Sequence, residues 1–210
     1  MSKAIERRYA KTQPLEYRAA EDGPGTAVGY AAVFGVTTTI SDWFDETVDP
    51  NAFTKTLREA DVLGLWQHDA HQVLGRSSAD TLRLEVDETG LRYEIDLPET
   101  QLGRDTAVLL RRGDIRSSSF AFRPIRDRWL FEDDRDLRIL EEVALVDVSI
   151  VTHPAYPDAE AGLRSLAEAR SLDAEQVIEA ARAGSPLPVP AGAPTPPDGR
   201  PVHRRPAWVY

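Results

Sequence analysis

The chain contains no cysteine, and this absence removes several kinds of chemistry at once. Disulfide bonds, a thiol nucleophile and thiolate metal sites are all excluded, and the composition is typical of a protein from a reducing cytoplasm. No apolar run approaches the length of about 20 residues that a membrane-spanning helix needs. The charged N-terminal stretch, residues 1–11, also lacks the apolar segment of a secretory signal. We therefore expect no association with a membrane.

Positive charge is scarce. The chain carries 25 Lys and Arg residues against 35 Asp and Glu residues, for a net charge of -10. Residues 185–210 contain three arginines and one aspartate, so the rest of the chain has a net charge of -12. Nucleic-acid-binding proteins need a basic face. We therefore expect no nucleic-acid partner.

Two common catalytic motifs are also missing. No Gly-x-Ser-x-Gly sequence is present, which argues against an α/β-hydrolase arrangement, and no glycine-rich phosphate-binding loop is present. The chain has 210 residues, of which 41% are hydrophobic and 29% charged. This size and composition fit one globular domain with an appendage.

Changes in composition along the chain predict four regions. Residues 1–24 are polar and predict an irregular N-terminal arm, and residues 25–170 predict the main domain. Residues 171–184 predict a C-terminal helix. Eight of the 15 prolines lie in residues 185–210, which predict a disordered, proline-rich tail.

Within the main domain, strands outnumber helices. Strand patterns cover residues 25–34, 62–67, 81–86, 91–97, 117–131 and 137–151; helix patterns begin at Asp49-Pro50 and cover 99–112, 159–170 and 174–183. Gly113 predicts the end of the second helix. Residues 87–90 predict a hairpin turn between the third and fourth strands, and residues 132–136 predict an acidic turn between the last two. The strands predict an α+β, mainly β fold, with an antiparallel sheet or small barrel and helices packed around it.

Two polar side chains interrupt the longest strand patterns. Alternation along residues 117–122 places Ser119 on the face opposite Phe120, and Asp147 likewise lies opposite Val148. If the two strands are neighbours, Ser119 and Asp147 can meet in one pocket. A sheet with one solvated face would give the same alternation without any catalytic role.

Other candidates remain open at this level. Ser118 is expected to point into the core, but Ser117 shares the face of Ser119 and competes for the role of nucleophile. His68 ends an apolar segment, where a surface or capping residue is more common than a base, and its spacing from His71 also suggests two metal ligands. Arg76 and Arg116 could place positive charge near an oxyanion.

Five motifs in a fixed order resemble one family. They are GYAAVF (29–34), ETVDPNAF (46–53), LWQHD with LGR (65–76), RGDIRSSSFAF (112–122) and EVALVDVSIVTHPA (142–155). Together they resemble the prohead (procapsid maturation) proteases of tailed bacteriophages, a family related in fold to the herpesvirus protease assemblin. The resemblance covers residues 29–159.

The resemblance implies a serine protease site in residues 25–170. By position, Ser119 is the nucleophile, His68 the general base and acid, and Asp147 the residue that orients His68, with Glu142 as the alternative. The implied fold is an antiparallel, closed or nearly closed β-barrel surrounded by helices. Oxyanion donors are expected near residues 154–158, and no cofactor or metal is expected.

The resemblance also implies a biological role. The substrates would be the scaffold segment of the major capsid protein or a separate scaffold protein, and the protease itself by autocleavage. The site of action would be the assembling procapsid in the host cytoplasm, and a homodimer is possible. The tail would be a cleavable or targeting segment, or only a solubilising one. The alternative is a catalytically inactive scaffold or capsid-interior protein on the same fold.

Overall fold

The computed structural model describes residues 4–10, 15–131, 135–152 and 159–188. These ranges contain eleven strands and four α-helices. The strands are β1 (Glu6–Tyr9), β2 (Glu16–Arg18), β3 (Thr26–Val33), β4 (Thr38–Thr39), β5 (Phe44–Val48), β6 (Leu63–Trp66), β7 (Asp69–Arg76), β8 (Leu82–Val86), β9 (Gly90–Asp96), β10 (Ser117–Leu130) and β11 (Asp136–Val151). The helices are α1 (Thr56–Glu59), α2 (Gln101–Arg112), α3 (Ala159–Ala169) and α4 (Ala174–Ala183).

The strands form two sheets. The first sheet has seven strands in the order β1-β10-β11-β5-β4, with β6 also pairing with β11 and β7 pairing with β6. The second sheet has four strands in the order β2-β3-β9-β8. The main core contains side chains from both sheets, including Phe120 and Val148 of the first and Tyr93 and Ile95 of the second. Apolar faces of the two sheets are therefore buried in one core.

The long strand β11 organises the first sheet. It forms an antiparallel hairpin with β10 along nearly its whole length. On its other side, residues Asp136 to Leu140 pair in parallel with β5, while residues Asp147 to Ile150 pair in parallel with β6. One strand of 16 residues thus takes two different neighbours along the same edge.

The predicted closed or nearly closed antiparallel barrel is wrong. Neither described sheet closes on itself, and β11 has two parallel neighbours. Closure requires the strands at the two ends of a sheet to pair with each other. In the first sheet these ends are β1, β4 and β7, and among the described strands each of them pairs with one neighbour only. The fold is α+β and mainly β, as expected, but open.

The N-terminal region is more regular than its sequence predicts. Within the expected irregular arm, β1 joins the first sheet beside β10 and β2 joins the second sheet beside β3. The inward positions of β1 are the charged residues Glu6 and Arg8, both buried. Hydrophobic alternation is absent for that reason, so the sequence gives no strand signal there.

Most predicted helices and hairpins are confirmed. Helix α2 begins after Thr100, whose side chain accepts a hydrogen bond from Gly103 N–H, and ends at Gly113 with φ 77°. Strands β8 and β9 form the predicted hairpin. The helix expected from Asp49 forms only over Thr56–Glu59. The Asp49 carboxylate instead accepts a hydrogen bond from the Asn51 N–H in a local turn.

Helices α3 and α4 enclose a second, smaller core with Phe44 of β5. Residues 132–134 of the expected acidic turn and residues 189–210 of the proline-rich tail lie outside the described residues. No helix in the described part of the chain is both long enough and apolar enough to cross a bilayer.

Candidate active site

Strands β10 and β11 bring the predicted polar residues onto one face of the first sheet. Ser119 lies opposite Ser149 in the register, and Ala121 lies opposite Asp147. The neighbouring residues Phe120 and Val148 point into the main core. Strand alternation therefore places Ser119 and Asp147 together on the side away from that core.

His68 reaches this face from a tight turn between β6 and β7. Gln67 and His68 are the two turn residues, and both have left-handed backbones with φ values of 57° and 58°. Such conformations are uncommon for residues other than glycine, although asparagine, aspartate and histidine adopt them more often than most. Two hydrogen bonds to β11 hold the turn: Gln67 N–H donates to Ile150 O at 3.0 Å, and His68 N–H donates to Ser149 Oγ at 3.2 Å.

The three side chains form a continuous hydrogen-bonded chain. His68 Nδ1 lies 2.6 Å from Asp147 Oδ1, and His68 Nε2 lies 2.7 Å from Ser119 Oγ. With a neutral imidazole, Nδ1–H donates to the carboxylate and leaves Nε2 free to accept the serine proton. This is the spatial relation of nucleophile, base and orienting acid in serine hydrolases.

Ser149 adds a fourth member. Its hydroxyl donates to Asp147 Oδ1 at 2.7 Å while its oxygen accepts the His68 backbone N–H. Ser149 is fully buried, so these two bonds use its donor and an acceptor position without competition from bulk water. The Ser149 hydroxyl thus holds the Asp147 carboxylate and the His68 backbone in fixed positions relative to each other.

The site is closed to solvent. Ser119 has no exposed surface, and the side chains of His68 and Asp147 are 6% and 7% exposed. Strand β1 lies on the outer edge of β10 with Tyr9 opposite Ser119. The Ser119 hydroxyl also lies 2.8 Å from the backbone oxygen of Arg8, in donor geometry.

The other two serines of the cluster are placed differently. Ser118 points into the core, as alternation predicts, and its Oγ lies 2.7 Å from the Tyr93 hydroxyl. Burial raises the pKa of Tyr93 well above its ordinary value. Ser117 lies at the start of β10 opposite Val151. Of the three serines, Ser119 is the one hydrogen-bonded to His68.

The alternative acid Glu142 is directed elsewhere. Its carboxylate pairs with Lys55 and with Arg126, each at 3.5 Å. It also lies five residues from Asp147 along β11, a separation of about 15 Å in an extended strand. The structure therefore brings Asp147, and not Glu142, to the histidine.

Three further candidates have other partners. Arg76 pairs with Asp61 at 3.1 Å, and Arg116 donates to the backbone oxygen of Gly113 at 2.9 Å. His71 is exposed on β7, and its N–H donates to Asp69. Across the described ranges, no three histidine, aspartate or glutamate side chains are grouped as a bound metal ion would require.

Comparison at the level of families identifies the chain. A sequence model described as the caudovirus prohead serine protease matches residues 13–174, well over half of the chain. The chain belongs to this family. Comparison with curated proteins and with solved structures gave no significant match.

The match to the prohead serine proteases includes all three residues of the hydrogen-bonded chain. Two features of the site have no signal in the sequence. Alternation along β11 places Ser149 on the face of Asp147 but predicts neither of its hydrogen bonds, and nothing predicts the contact of β1 with Ser119. The expected oxyanion donors, residues 154–158, lie outside the described residues.

Proposed function

We propose that this prohead protease is a serine endopeptidase in which Ser119 is the nucleophile, His68 the general base and acid, and Asp147 the orienting carboxylate. The observation that carries the proposal is the continuous chain from Ser119 Oγ through the imidazole to Asp147, with contacts of 2.7 and 2.6 Å. Family membership supports the same reaction class.

The proposed reaction begins when Ser119 Oγ attacks the carbonyl carbon of a peptide bond. His68 Nε2 takes the hydroxyl proton, and Asp147 stabilises the imidazolium through Nδ1–H. The tetrahedral intermediate then collapses, His68 returns the proton to the leaving amine, and an ester links the substrate to Ser119. Water, activated by His68, hydrolyses the ester and restores the serine.

The low exposure of Asp147 supports its proposed role. A carboxylate with little contact with water interacts more strongly with an imidazolium than an exposed one would, because screening by solvent is reduced. Two donors, His68 Nδ1–H and the Ser149 hydroxyl, converge on the same oxygen, Oδ1. Their convergence restricts the carboxylate to one orientation.

We further propose that the substrates are the scaffold segment of the major capsid protein or a separate scaffold protein, and the protease itself. Cleavage would take place inside the assembling procapsid in the host cytoplasm. This proposal rests on family membership. The proposal also includes a homodimer and a targeting or cleavable role for residues 185–210. It includes no nucleic-acid partner and no membrane.

Co-expression with the capsid protein tests this function. Wild-type protease should produce capsid fragments of defined mass, and Ser119→Ala should abolish them because the nucleophile is lost. Ser117→Ala is the matched control and should give the wild-type fragments. Identical fragments from wild type and Ser119→Ala would contradict the proposal, and no fragments from any form would favour an inactive scaffold protein.

A further inference from the structure

Within the described residues, the edge of β10 beside Ser119 is not free to pair with a substrate. Ser119 is fully buried, and the outer edge of β10 beside it is already paired with β1 over Glu6 to Tyr9. The backbone oxygen of Arg8 accepts from the nucleophile's hydroxyl at 2.8 Å. A peptide that pairs with this edge of β10 can therefore reach Ser119 only if this strand moves.

We propose that β1 is an exchangeable strand that occupies the substrate's place on β10, and that an extended substrate peptide pairs with β10 after β1 leaves. The inference rests on the proposed protease function, since it assigns a binding site to that reaction. The occupant is defined by chemistry: an extended segment that offers backbone N–H and C=O groups to the edge of a sheet.

The register shows what the edge of β10 offers. Strand β1 runs antiparallel to β10, and Ala10 N–H donates to Ser118 O at 3.2 Å. An incoming peptide in the same register would place a backbone carbonyl where that of Arg8 now lies. Backbone pairing would thus supply affinity and bring a peptide bond to the nucleophile.

The buried charges of β1 would leave as a neutral pair. Glu6 and Arg8 pair with each other at 2.6 Å and carry opposite charges, so their removal leaves the net charge beneath them unchanged. Arg138 remains paired with Glu46 at 3.0 Å and with Asp127 at 2.7 Å. No buried charge loses its last partner, which avoids the main penalty of opening an ionic cluster.

The position of β1 also favours exchange. It has four residues and lies at the edge of its sheet. Short edge strands open with much smaller free energies than central strands. Such a strand delays access to the nucleophile without blocking it permanently.

A reversible cross-link between the strands tests the exchange. Because residues 10 and 118 form a hydrogen-bonded pair, alternation makes Arg7 and Ala121 a non-hydrogen-bonded pair, whose Cα atoms lie closest. This spacing suits a disulfide. The full chain with Arg7→Cys and Ala121→Cys, which has no other cysteine, is oxidised or reduced and then treated with a fluorophosphonate probe.

The readout is the rate at which Ser119 gains the phosphonyl group, which is measured from the intact mass of the protein over time. The serine oxygen bonds to phosphorus, fluoride leaves, and His68 takes the proton. Oxidation should slow labelling at least tenfold and reduction should restore it. In each single-cysteine variant the oxidised and reduced samples should label at the same rate.

Equal labelling of the oxidised and reduced double variant would overturn the exchange of β1 but leave the protease proposal intact. Absence of Ser119 labelling in every form, including wild type, would overturn the protease proposal and the exchange with it. The two failures are therefore distinguishable.

Hydrogen exchange of the wild-type chain gives a second test that needs no cross-link. Amides of residues 6–10 should exchange faster after Ser119 is labelled with a probe that carries an extended peptide, because the peptide replaces β1. Unchanged protection of residues 6–10 in the labelled protein would contradict the proposal.

Discussion

A serine hydroxyl has one proton, and two acceptors compete for that of Ser119. His68 Nε2 lies at 2.7 Å and the Arg8 backbone oxygen at 2.8 Å. A proton donated to the Arg8 oxygen does not lie on the path to the proposed base, so general-base catalysis would be weakened while β1 is in place. If β1 departs, the Arg8 oxygen leaves with it, and His68 Nε2 is the acceptor of the pair that remains for the Ser119 proton.

Ser149 should act as a positioning residue. Replacing it with alanine removes a hydrogen bond to the Asp147 carboxylate and the acceptor of the His68 N–H. A hydrogen bond to a charged group contributes about 1.5–3 kcal/mol, which corresponds to a rate loss of about ten- to hundredfold. We expect Ser149→Ala to slow fluorophosphonate labelling of Ser119 by that factor.

Urea unfolding of the same variant separates this role from a purely structural one. If Ser149→Ala lowers the free energy of unfolding but labels at the wild-type rate, Ser149 contributes to stability alone. Ser117→Ala should change neither quantity appreciably, because Ser117 is not hydrogen-bonded to His68.

At the residue scale, alternation and motif order together predict the three residues that meet. Ser119 and Asp147 share a face because the period of a strand is two, and this is readable from sequence. The turn at Gln67 and His68 is not readable, because the pair contains none of the glycine, asparagine and aspartate residues that mark such two-residue turns. Contacts with β11, distant in sequence, stabilise it.

At the element scale, a buried ionic cluster connects four strands. Arg138 of β11 is fully buried and contacts Glu6 of β1, Glu46 of β5 and Asp127 of β10. Burial alone would lower the pKa of Arg138, but the charges of Glu46 and Glu6 outweigh burial and raise it. The guanidinium therefore stays charged in the interior.

Arg138→Met should destabilise the protein strongly. It leaves three buried carboxylates with Arg8 as their remaining cation in the cluster, and breaking a buried ion pair from one side typically costs about 3–5 kcal/mol. The measurement is the free energy of unfolding in urea. A loss below about 1 kcal/mol would show that the cluster does not contribute as described.

Arg126→Met is the matched control. Arg126 also lies in the β10–β11 hairpin and pairs with Glu141 at 3.1 Å, but its side chain is 63% exposed. Exposed ion pairs contribute little to stability. This variant should therefore change the free energy of unfolding by no more than about 0.5 kcal/mol.

Elements with local signals could be predicted, whereas β1, which depends on the buried ionic cluster, could not. Hairpin β8–β9 and helix α2 carry local signals, namely a turn sequence and a cap at each end, and both were predicted. The signal for β1 is hidden, because its buried positions are Glu6 and Arg8 and only the distant charges of β5 and β11 make their burial favourable.

At the scale of the whole molecule, the two sheets approach closely near the hairpin that carries His68. A β-carbon at Gly64 of β6 would lie 2.9 Å from Ile95 Cδ1, and one at Gly75 of β7 would lie 3.2 Å from Ile95 Cγ2. Both glycines therefore allow β6 and β7 to pack against β9 of the second sheet. The position of the histidine thus depends on the packing of both sheets.

The part of the architecture that could not be predicted is which strand edges pair, and therefore that the sheets stay open. Alternation identifies strands and their buried faces, but not which edges pair, because edge pairing depends on strand lengths and on contacts between distant segments. The two parallel neighbours of β11 arise in this way, with β5 along one half and β6 along the other.

The central claim is that Ser119 is a nucleophile activated by His68, and mapping the site of fluorophosphonate attachment tests it most directly. Wild-type protein is treated with the probe, digested and sequenced by tandem mass spectrometry. The adduct should lie on Ser119, persist in Ser117→Ala, and be lost in Ser119→Ala and nearly lost in His68→Ala. An adduct on another serine, or undiminished labelling in His68→Ala, would contradict the account.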